Sequence, residues 1–389
     1  MARAHGRRPA GRPALHPPLP DAGPATHDPF RRPLLGRPPA ATKGPDELNR
    51  QAEIEAFLGR VWKPEARYAP LAADASFRRY FRVEGTPSAV LMDAPPDRED
   101  VRPFMAIGEY LVENGFSAPR LIEADIPDGF LLLEDLGDDT FTRLIARDPA
   151  LERPLYEAAI DTLVALHRLN PPRLLPVRSA PPFEVPLYDD DALTREVLLF
   201  TEWYLPARTG HPTPGDAGAE FEALWRSVFP LARGGRETLV LLDYHADNLM
   251  ALPGRDGVAG VGLLDFQDGR VGPAAYDLVS LLQDCRRGVS RELEEAMLER
   301  YLAARPDIDR ESFMTAYWVL GAQRNTKIIG IFTRLWKRDG KARYPKMIPG
   351  LWDLLERGLN HPELEDLKLW FHAYCHADTR RKPLPDEPA

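Results

Sequence analysis

Apolar and polar positions change their period along the chain, and the change separates two predicted regions. Alternation over residues 78–93 predicts two short strands joined by a turn, and the apolar run 129–133 predicts a third strand. A helix is predicted between them, over 101–114. Helical periodicity then dominates, with predicted helices at 151–169, 190–207, 220–233 and 312–337 and two apolar strands at 238–242 and 258–264. The pattern therefore predicts an α+β fold in which a small strand-rich lobe precedes a larger, mainly helical lobe.

The first 45 residues lack apolar periodicity. They hold 11 of the 40 prolines and carry eight basic residues against two acidic ones. Such a segment cannot bury enough apolar surface to offset the entropy lost on ordering. We therefore predict that 1–45 is a disordered leader, or sequence upstream of the true start codon. An organellar presequence is disfavoured because the prolines would interrupt the amphipathic helix that it requires. The predicted domains are then a nucleotide lobe at 46–136, a catalytic and acceptor lobe at 137–379 and a tail at 380–389.

Composition narrows the class of protein further. Of the 389 residues 44% are hydrophobic, and the net charge of −9 argues against nucleic acid as a partner. No apolar run is long enough to span a membrane, and no signal-peptide core follows Met1. Cys285 and Cys375 lie far apart, so neither a disulfide framework nor a structural zinc site is expected. We expect a cytoplasmic globular protein without a nucleic-acid or membrane partner.

Acidic and amide side chains follow two apolar strands in the second half of the chain. Asp243 and Asn248 come just after the strand predicted at 238–242, and Asp265 directly follows the strand at 258–264. Carboxylate and amide oxygens are suited to Mg²⁺ held between protein and substrate phosphates. A further carboxylate in the same loop can accept the proton of an attacking hydroxyl. Any one of these residues could be a turn residue, but the three together predict a phosphoryl-transfer site.

The amino-acid sequences of five segments resemble those of the aminoglycoside-phosphotransferase-like branch of the protein-kinase fold. Within that branch they look like the bacterial sugar kinases that phosphorylate N-acetylmuramate and N-acetylglucosamine at the anomeric C1 position during cell-wall recycling. The segments are DASFRRYFRV at 74–83, VLMDAPP at 90–96, GFLLLEDLGD at 129–138, DYHADNLM at 243–250 and DFQDGRVGPAAYDLVSLLQD at 265–284. The resemblance extends from residue 46 to the C-terminal helices and implies a two-lobed kinase-like fold.

The resemblance also implies roles for individual residues. It makes Asp243 the catalytic base and makes Asn248 and Asp265 the Mg²⁺ ligands. It places the cleft for ATP in the strand-rich lobe and implies that a buried acid, Asp277, braces the catalytic loop. The nucleotide-binding residues expected from it are Ser76, Phe77, Glu134, Asp135 and Leu136, the last three at the hinge whose backbone meets adenine.

The chain departs from the family pattern at three places. Leu241 stands where the family has a histidine two residues before the catalytic acid. Met92 stands where the lysine that pairs with the ATP phosphates is expected, and no lysine occurs between Lys63 and Lys327. The segment 74–77 (DASF) replaces the glycine-rich loop. Either arginine holds the phosphates, or the lobe has lost its nucleotide.

Strand alternation selects a candidate for that arginine. Phe77, Arg79 and Phe81 share one face of the predicted strand, and Arg78 lies on the other. Since an apolar face is expected to look toward the adenine cleft, Arg79 is predicted to bind phosphate and Arg78 is predicted to matter much less. Glu109, on the following helix, could pair with Arg79. A solvent-facing Arg79 is the alternative.

The acceptor site is less clearly marked. Along the helix at 312–337, i+3 and i+4 spacing defines an inward-facing stripe on which Arg324 is the one charged residue. A buried charge must be paired, either with Asp268 or Asp284 or with the lactyl carboxylate of N-acetylmuramate. His245, Gln267 and Asp268 are further candidate acceptor contacts, and His245 could instead brace its loop.

Two other functions remain open from the sequence. The same fold could phosphorylate an aminoglycoside, an amino alcohol or another small hydroxyl compound. The missing lysine and glycines would also fit a nucleotide-binding module without catalysis, although such a module has no need of the base Asp243. A protein kinase is disfavoured because the chain has neither an HRD nor an APE motif.

Overall fold

A computed structural model describes residues 45–71, 77–170 and 173–385. Its strand-rich lobe is built on an antiparallel five-stranded sheet of order β1-β2-β3-β5-β4. The strands are β1 Tyr68–Pro70, β2 Arg79–Val83, β3 Ala89–Asp93, β4 Leu121–Asp125 and β5 Phe130–Glu134, and the helices of this part are α1 Pro45–Val61 and α2 Arg102–Glu113. From Gln51 onward the chain forms one unit, and the contacts described below lie within it.

The two faces of this sheet pack against different partners. On one face, Val83, Leu91 and Leu132 form a small core with apolar residues of α1, Ile54 and Phe57 among them. On the other face, Met92, Leu131 and Leu133 join the main core together with α2. The odd-numbered residues of β2 therefore point toward α1, and the even-numbered ones point toward the rest of the protein.

The second lobe is mainly helical, with three small two-stranded antiparallel sheets among its described residues. Its helices are α3 Phe141–Arg147, α4 Glu152–Leu166, α5 Asp190–Leu199, α6 Leu205–Thr209, α7 Gly215–Val228, α8 Ala275–Leu282, α9 Arg291–Ala304, α10 Arg310–Lys337, α11 Ile348–Gly358, α12 Glu365–Tyr374 and α13 Ala377–Arg380. Its strands are β6 Leu174–Val177, β7 Ala180–Glu184, β8 Glu237–Val240, β9 Leu249–Ala251, β10 Val261–Leu263 and β11 Arg270–Pro273. Strand β6 pairs with β7, β9 with β10, and β8 with β11. The loops from β8 to β9 and from β10 to β11 therefore emerge side by side.

Helix α10 is the central element of this lobe. The Asp309 carboxylate caps it by accepting a hydrogen bond from the backbone N–H of Ser312 at 2.9 Å. Most of its length is buried, and Gly330 lets it approach the end of α5, where Phe200–Tyr204 form one π-helical turn. A Cβ atom at Gly330 would lie 2.4 Å from the carbonyl carbon of Leu199. The absence of a side chain there sets the distance between the two helices.

The two-lobed α+β fold predicted from the sequence is confirmed. The strands expected over 78–93 are β2 and β3, and the long helix expected at 312–337 is α10. Helix α7 begins at Gly215 rather than at 220, and the short strands β1, β4, β6, β7, β9 and β11 were not expected. These strands are three to five residues long and have neither the apolar run nor the regular alternation that identified β2, β3 and β5.

The domain boundaries stay a prediction. The leader expected at 1–45 lies outside the described residues except for Pro45, as do the last four residues of the tail. Among the helices that are described, none combines the length and the apolar character needed to cross a membrane.

The contact at Gly330 makes a testable prediction about stability. Gly330→Ala should lower the free energy of unfolding by about 1–3 kcal/mol, since forcing a methyl group into a filled contact outweighs the gain in helix propensity. Urea denaturation would measure the change. Gly350→Ala is the matched control, because this glycine also lies in a helix and, apart from its chain neighbours and the backbone of its own helix, no atom of the described residues lies within 4 Å of the place its methyl group would take. The control should be neutral or stabilising, and equal losses for both variants would contradict the packing argument.

Candidate active site

The loop from β8 to β9 is held in place by a buried carboxylate. Asp277, fully buried at the start of α8, accepts hydrogen bonds from the backbone N–H groups of Leu241 and Leu242 at 2.8 and 2.9 Å. Leu242 has a φ of +66°, a left-handed conformation that a leucine rarely adopts unless its surroundings impose it. Asp243 follows directly. The contact has the geometry of the bracing role that the sequence implied for Asp277.

A histidine from another element completes this support. His167 follows α4 and is fully buried, with Nδ1 2.9 Å from the hydroxyl of Tyr301 and Nε2 3.7 Å from Oδ2 of Asp277. Burial lowers the pKa of His167, so the ring is neutral near pH 7. His167 thus lies beside Asp277, which braces the loop. In that loop, Leu241 occupies the position where the family has a histidine. Sequence reasoning missed His167, since nothing near it in the chain marks its proximity to Asp277.

Asp243, Asn248 and Asp265 are brought together, as the sequence predicted. All three line a cavity of about 600 Å³, called here the basic cavity. The Asn248 amide nitrogen donates to the Asp243 carbonyl oxygen at 3.0 Å, which leaves the amide oxygen of Asn248 as the atom available to a ligand. Asp265 also has a left-handed backbone, with a φ of +55°, and its carboxylate accepts a hydrogen bond from Gln267 at 2.7 Å. Gln267, predicted to bind acceptor, thus contacts a predicted metal ligand instead.

The oxygen donors fit a magnesium ion shared with a substrate. Asn248 and Asp265 offer one amide and one carboxylate group, which are hard ligands. Within the described ranges, no group of three or more His, Cys, Asp or Glu side chains could hold a metal ion by itself. Mg²⁺ commonly takes one or two protein carboxylates and completes its shell with phosphate oxygens and water, so this donor set is of the expected kind.

A second cavity, called here the interlobe cleft, adjoins the first. It measures about 580 Å³, and Asn248 and Asp265 line both cavities. The predicted hinge residues Glu134, Asp135 and Leu136 line the interlobe cleft. The Glu134 carboxylate pairs with Arg255 at 2.6 Å, and Asp135 accepts from the Ser88 hydroxyl at 2.7 Å. Because these side chains are engaged with protein, the hinge can offer its backbone to a ligand.

The orientation predicted for Arg79 is wrong. Its Nε donates to the fully buried carboxylate of Asp93 at 2.9 Å, on the sheet face that packs toward α1. The predicted pairing with Glu109 is also wrong, since the positive charge acting on Glu109 is that of Arg178. The error arose because apolar residues cover both faces of this sheet, so the apolar face of β2 did not identify the cleft side.

Arg78 has the position that was predicted for Arg79. Its side chain is 11% exposed, lines the basic cavity and places Nη2 3.6 Å from Oδ1 of Asp265. Burial alone would lower the pKa of Arg78, but the groups around it, Tyr80 and Asp265 foremost, raise it above its ordinary value. A permanently charged guanidinium therefore lies beside the predicted metal ligand.

The predicted loop contacts to nucleotide have different outcomes. Ser76 lies outside the described residues. Phe77 is 58% exposed, its ring is covered by the guanidinium of Arg98 at 4.8 Å, and it is absent from the lining of the interlobe cleft. Its role in binding nucleotide therefore gains no support from the geometry.

Four cations of the helical lobe surround the far side of the basic cavity. They are Arg286, Arg324, Lys327 and Arg343. Lys327 pairs with Glu196 at 2.9 Å, and Arg286 pairs with Asp284 at 3.2 Å. Arg343 donates to the hydroxyl of Tyr344 at 2.9 Å. Apolar residues of α10 and the following segment complete the wall: Ile328, Ile331, Phe332, Leu335 and Met347.

Arg324 differs from its neighbours in its partner. The residue is 3% exposed, and its guanidinium donates to the neutral hydroxyl of Ser280 at 2.9 Å. Among the described residues it forms no ion pair of 4.0 Å or less, so the expected pairing with Asp268 or Asp284 is wrong. Asp284 pairs with Arg286, and Asp268 lies exposed on its loop. A buried guanidinium that faces a cavity and has a neutral protein partner favours an anionic ligand.

His245 lines the same cavity from the loop of Asp243. Its Nε2 lies 3.3 Å from the Asn248 amide nitrogen, and burial lowers the pKa of His245 to about 4. The ring is therefore neutral near pH 7 and accepts a hydrogen bond from Asn248. This contact supports the loop-bracing alternative, and the cavity position leaves an acceptor contact open.

Comparisons with known proteins agree with the geometry. Residues 67–313 match the family model described as the phosphotransferase enzyme family. The chain is 41% identical to an N-acetylmuramate/N-acetylglucosamine kinase of Caulobacter vibrioides over 85% of this chain and 98% of that protein. It is 35% identical to a protein of the same name from Pseudomonas aeruginosa, over 80% and 90%.

Solved structures share the fold at low sequence identity. A choline/ethanolamine kinase family protein from Mesorhizobium loti has a TM-score of 0.55 and 11% identity, covering 83% of this chain and 99% of that one. An ADP-bound aminoglycoside phosphotransferase has a TM-score of 0.51 and 17% identity, covering 78% and 96%. These structures bear on the fold alone.

The brace at Asp277 can be tested without a ligand. Asp277→Asn should lower the free energy of unfolding by about 1–3 kcal/mol, since an amide nitrogen cannot accept from one of the two buried N–H groups. Urea denaturation would measure this loss, and amide hydrogen exchange should accelerate at Leu241 and Leu242. Asp268→Asn, a change to an exposed acid of the neighbouring loop, serves as control. Unchanged exchange in Asp277→Asn would contradict the bracing role.

Proposed function

The chain belongs to the phosphotransferase enzyme family, and from this premise we propose that it transfers the γ-phosphoryl group of ATP to the anomeric C1 hydroxyl of N-acetylmuramate and N-acetylglucosamine. The relatives that carry these substrates in their names match most of the chain at 33–41% identity. The reaction would return cell-wall amino sugars to synthesis. We place it in the cytoplasm, where ATP is available and thiols such as Cys285 and Cys375 stay reduced.

The observation that carries the acceptor assignment is the charge of the basic cavity. Of the four cations on its far side, Lys327 and Arg286 are paired with acids, whereas Arg324 and Arg343 contact the neutral hydroxyls of Ser280 and Tyr344 and so keep their positive charge near the predicted base Asp243. Aminoglycosides, choline and ethanolamine are cations, and like charges in a partly buried site repel strongly. An anionic or neutral sugar is favoured by the same field. The apolar wall along α10 suits the methyl groups of an N-acetyl sugar.

The proposed chemistry assigns one task to each loop. Asp243 accepts the proton of the C1 hydroxyl while the C1 oxygen bonds to the γ-phosphorus and the bond to the bridging β–γ oxygen breaks, releasing ADP. Asn248 and Asp265 would hold Mg²⁺ where the interlobe cleft meets the basic cavity. The ion would neutralise charge on the β- and γ-phosphates. Asp277 keeps Asp243 in place through the backbone of the two preceding residues.

A catalytic function is better supported than a nucleotide-binding module. Asp243, Asn248 and Asp265 line one cavity, and Leu242 and Asp265 adopt left-handed backbone conformations that only surrounding contacts can maintain. A module that merely binds nucleotide requires neither the base nor a cation-lined acceptor site.

The direct test is detection of the product. Purified protein with ATP and Mg²⁺ should give a sugar-1-phosphate signal in ³¹P NMR with N-acetylmuramate and with N-acetylglucosamine. Gentamicin, choline and ethanolamine should give no product. Phosphorylation of one of these cations in preference to both sugars would overturn the proposal.

The assignment of the base predicts a large kinetic effect. Asp243→Asn should lower kcat by about 10²–10⁴-fold, because the C1 hydroxyl loses its proton acceptor, while the Kd for ATP changes little. Steady-state kinetics and isothermal titration calorimetry would measure the two quantities. Asp256→Asn, a change to an exposed acid between β9 and β10, is the control and should retain activity. Wild-type kcat in Asp243→Asn would remove the residue from the mechanism.

The environment of Arg324 predicts that the enzyme distinguishes N-acetylmuramate from N-acetylglucosamine by charge. N-acetylmuramate carries a lactyl carboxylate that N-acetylglucosamine lacks, and Arg324 lacks a described carboxylate partner. Arg324→Gln should therefore lower kcat/KM for N-acetylmuramate by roughly 10- to 100-fold more than for N-acetylglucosamine, the effect of about 1.5–3 kcal/mol in a charge-assisted hydrogen bond. Equal losses on both sugars together with a lower Tm would identify a structural residue instead.

A further inference from the structure

The strand-rich lobe has no lysine with which to hold the phosphates of a nucleotide. No lysine occurs between Lys63 and Lys327. Met92, at the position in β3 where kinases carry that lysine, is 1% exposed and lies between Tyr80 and Leu131 of the neighbouring strands. Nucleotide phosphates carry several negative charges, and an additional cation beside the metal ion is a regular part of such sites. Another residue must supply it.

Three arginines, Arg78 directly before β2 and Arg79 and Arg82 within it, differ in their acidic partners. Arg79 is neutralised by buried Asp93 at the sheet face toward α1. Arg82 does line the interlobe cleft, but it is held by Asp135 and by Asp138, each with a contact of 2.8 Å. Both contacts hold its guanidinium at the hinge segment 134–138, where the family resemblance places adenine rather than phosphate.

Arg78 has a different environment. It enters the basic cavity, which also contains Asp243, and its Nη2 lies 3.6 Å from Oδ1 of Asp265, a predicted metal ligand. Of the five Lys and Arg residues that line this cavity, Arg78 is the one that comes from the strand-rich lobe. It therefore comes from the lobe that carries the predicted nucleotide hinge and lies beside Asp265, which lines both cavities.

We propose that Arg78 binds the β- and γ-phosphates of ATP and replaces the lysine that is absent from β3. This inference rests on the proposed function and identifies the residue that holds the donor of that same site. Asp265 holds the guanidinium near the cavity in the ligand-free protein. With Mg²⁺ and a nucleotide bound, the Asp265 carboxylate would be among the ligands of the ion, and the two terminal amino groups of the Arg78 guanidinium would contact the phosphates. A guanidinium can make this contact in a bidentate manner, which an ammonium group cannot.

The other cations of the basic cavity are less suited to this task. Lys327 is held by Glu196 at 2.9 Å and by the hydroxyl of Tyr276 at 3.3 Å, on the α10 side. Arg286 is paired with Asp284. Both approach Asp243 from the acceptor side, so they are placed to contact the sugar rather than the nucleotide.

The test compares ligands that differ in phosphate. Calorimetric binding of ATP, ADP and adenosine, measured with Mg²⁺ and without an acceptor sugar, should show that Arg78→Gln weakens ATP and ADP by about tenfold or more while adenosine affinity is unchanged. Arg78→Lys keeps the charge but loses the bidentate contact, so its loss should be smaller. Arg79→Gln is the matched control, one residue along the strand and on the opposite face, and should leave the ATP-to-adenosine affinity ratio at the wild-type value.

Each outcome decides the proposal. If Arg78→Gln and Arg79→Gln change the ratio of ATP to adenosine affinity equally, or if Arg78→Gln weakens adenosine as much as ATP, Arg78 is not the phosphate ligand. If Arg78→Gln does not fold, Arg78→Lys decides, since an unchanged ATP affinity in that variant would contradict the bidentate contact. Failure of the proposed function has a different signature, because wild-type protein would then bind ATP with the predicted selectivity but form no sugar phosphate.

Discussion

The contact between the Asp277 carboxylate and the backbone N–H groups of Leu241 and Leu242 is the constraint on which the candidate site depends. It holds Leu242 in a left-handed conformation and thereby determines the position of the backbone of Asp243. The carboxylate is fully buried, so its hydrogen bonds are not shared with water and any loss would leave charge and donors uncompensated. His167 and Tyr301 extend this support into α4 and α9. The proposed catalytic base is thus held in place by a fully buried polar contact.

The second loop is tied to the strand-rich lobe by an aromatic residue. Phe266 follows Asp265 and packs its ring 4.8 Å from that of Phe104 in α2, and Gly108 of α2 leaves the space that the ring occupies. Asp265 is therefore positioned by both lobes at once. Any change in their relative arrangement would move this carboxylate relative to Asp243, which belongs to the helical lobe alone. The position of α2 and the geometry of the proposed metal site are consequently coupled.

Helix α10 gives the acceptor side its charge. Its inward face carries Arg324 and Lys327 among apolar residues, and Glu196 of α5 compensates Lys327 while Arg324 has a neutral partner. Glycines at positions 321 and 330 allow this helix to come close to Gln283 and Leu199, so the charged groups reach the cavity from a rigid, buried element. A site built on such an element can discriminate by charge with little loss to reorganisation. This property separates the basic cavity from the sites expected for cationic acceptors.

The sequence by itself determined the parts of the site that are local in the chain. Asp243 and Asn248 lie in one short loop, and Asp265 follows β10, which pairs with the strand β9 directly after that loop, so the spacing of these residues along the chain predicted that they lie together. The strands at 79–93 and the long helix α10 were also determined in this way, because their periodicity extends over enough residues to be read. Tertiary structure decided what depends on contacts between distant segments. The packing of α1 on one sheet face directed Arg79 to Asp93 and Arg78 to the cavity, a choice that alternation could not make because both faces are apolar. Folding of the helical lobe likewise brings His167 close to Asp277 and Arg324 close to Ser280. Contacts between residues this far apart in the chain cannot be predicted from residue spacing.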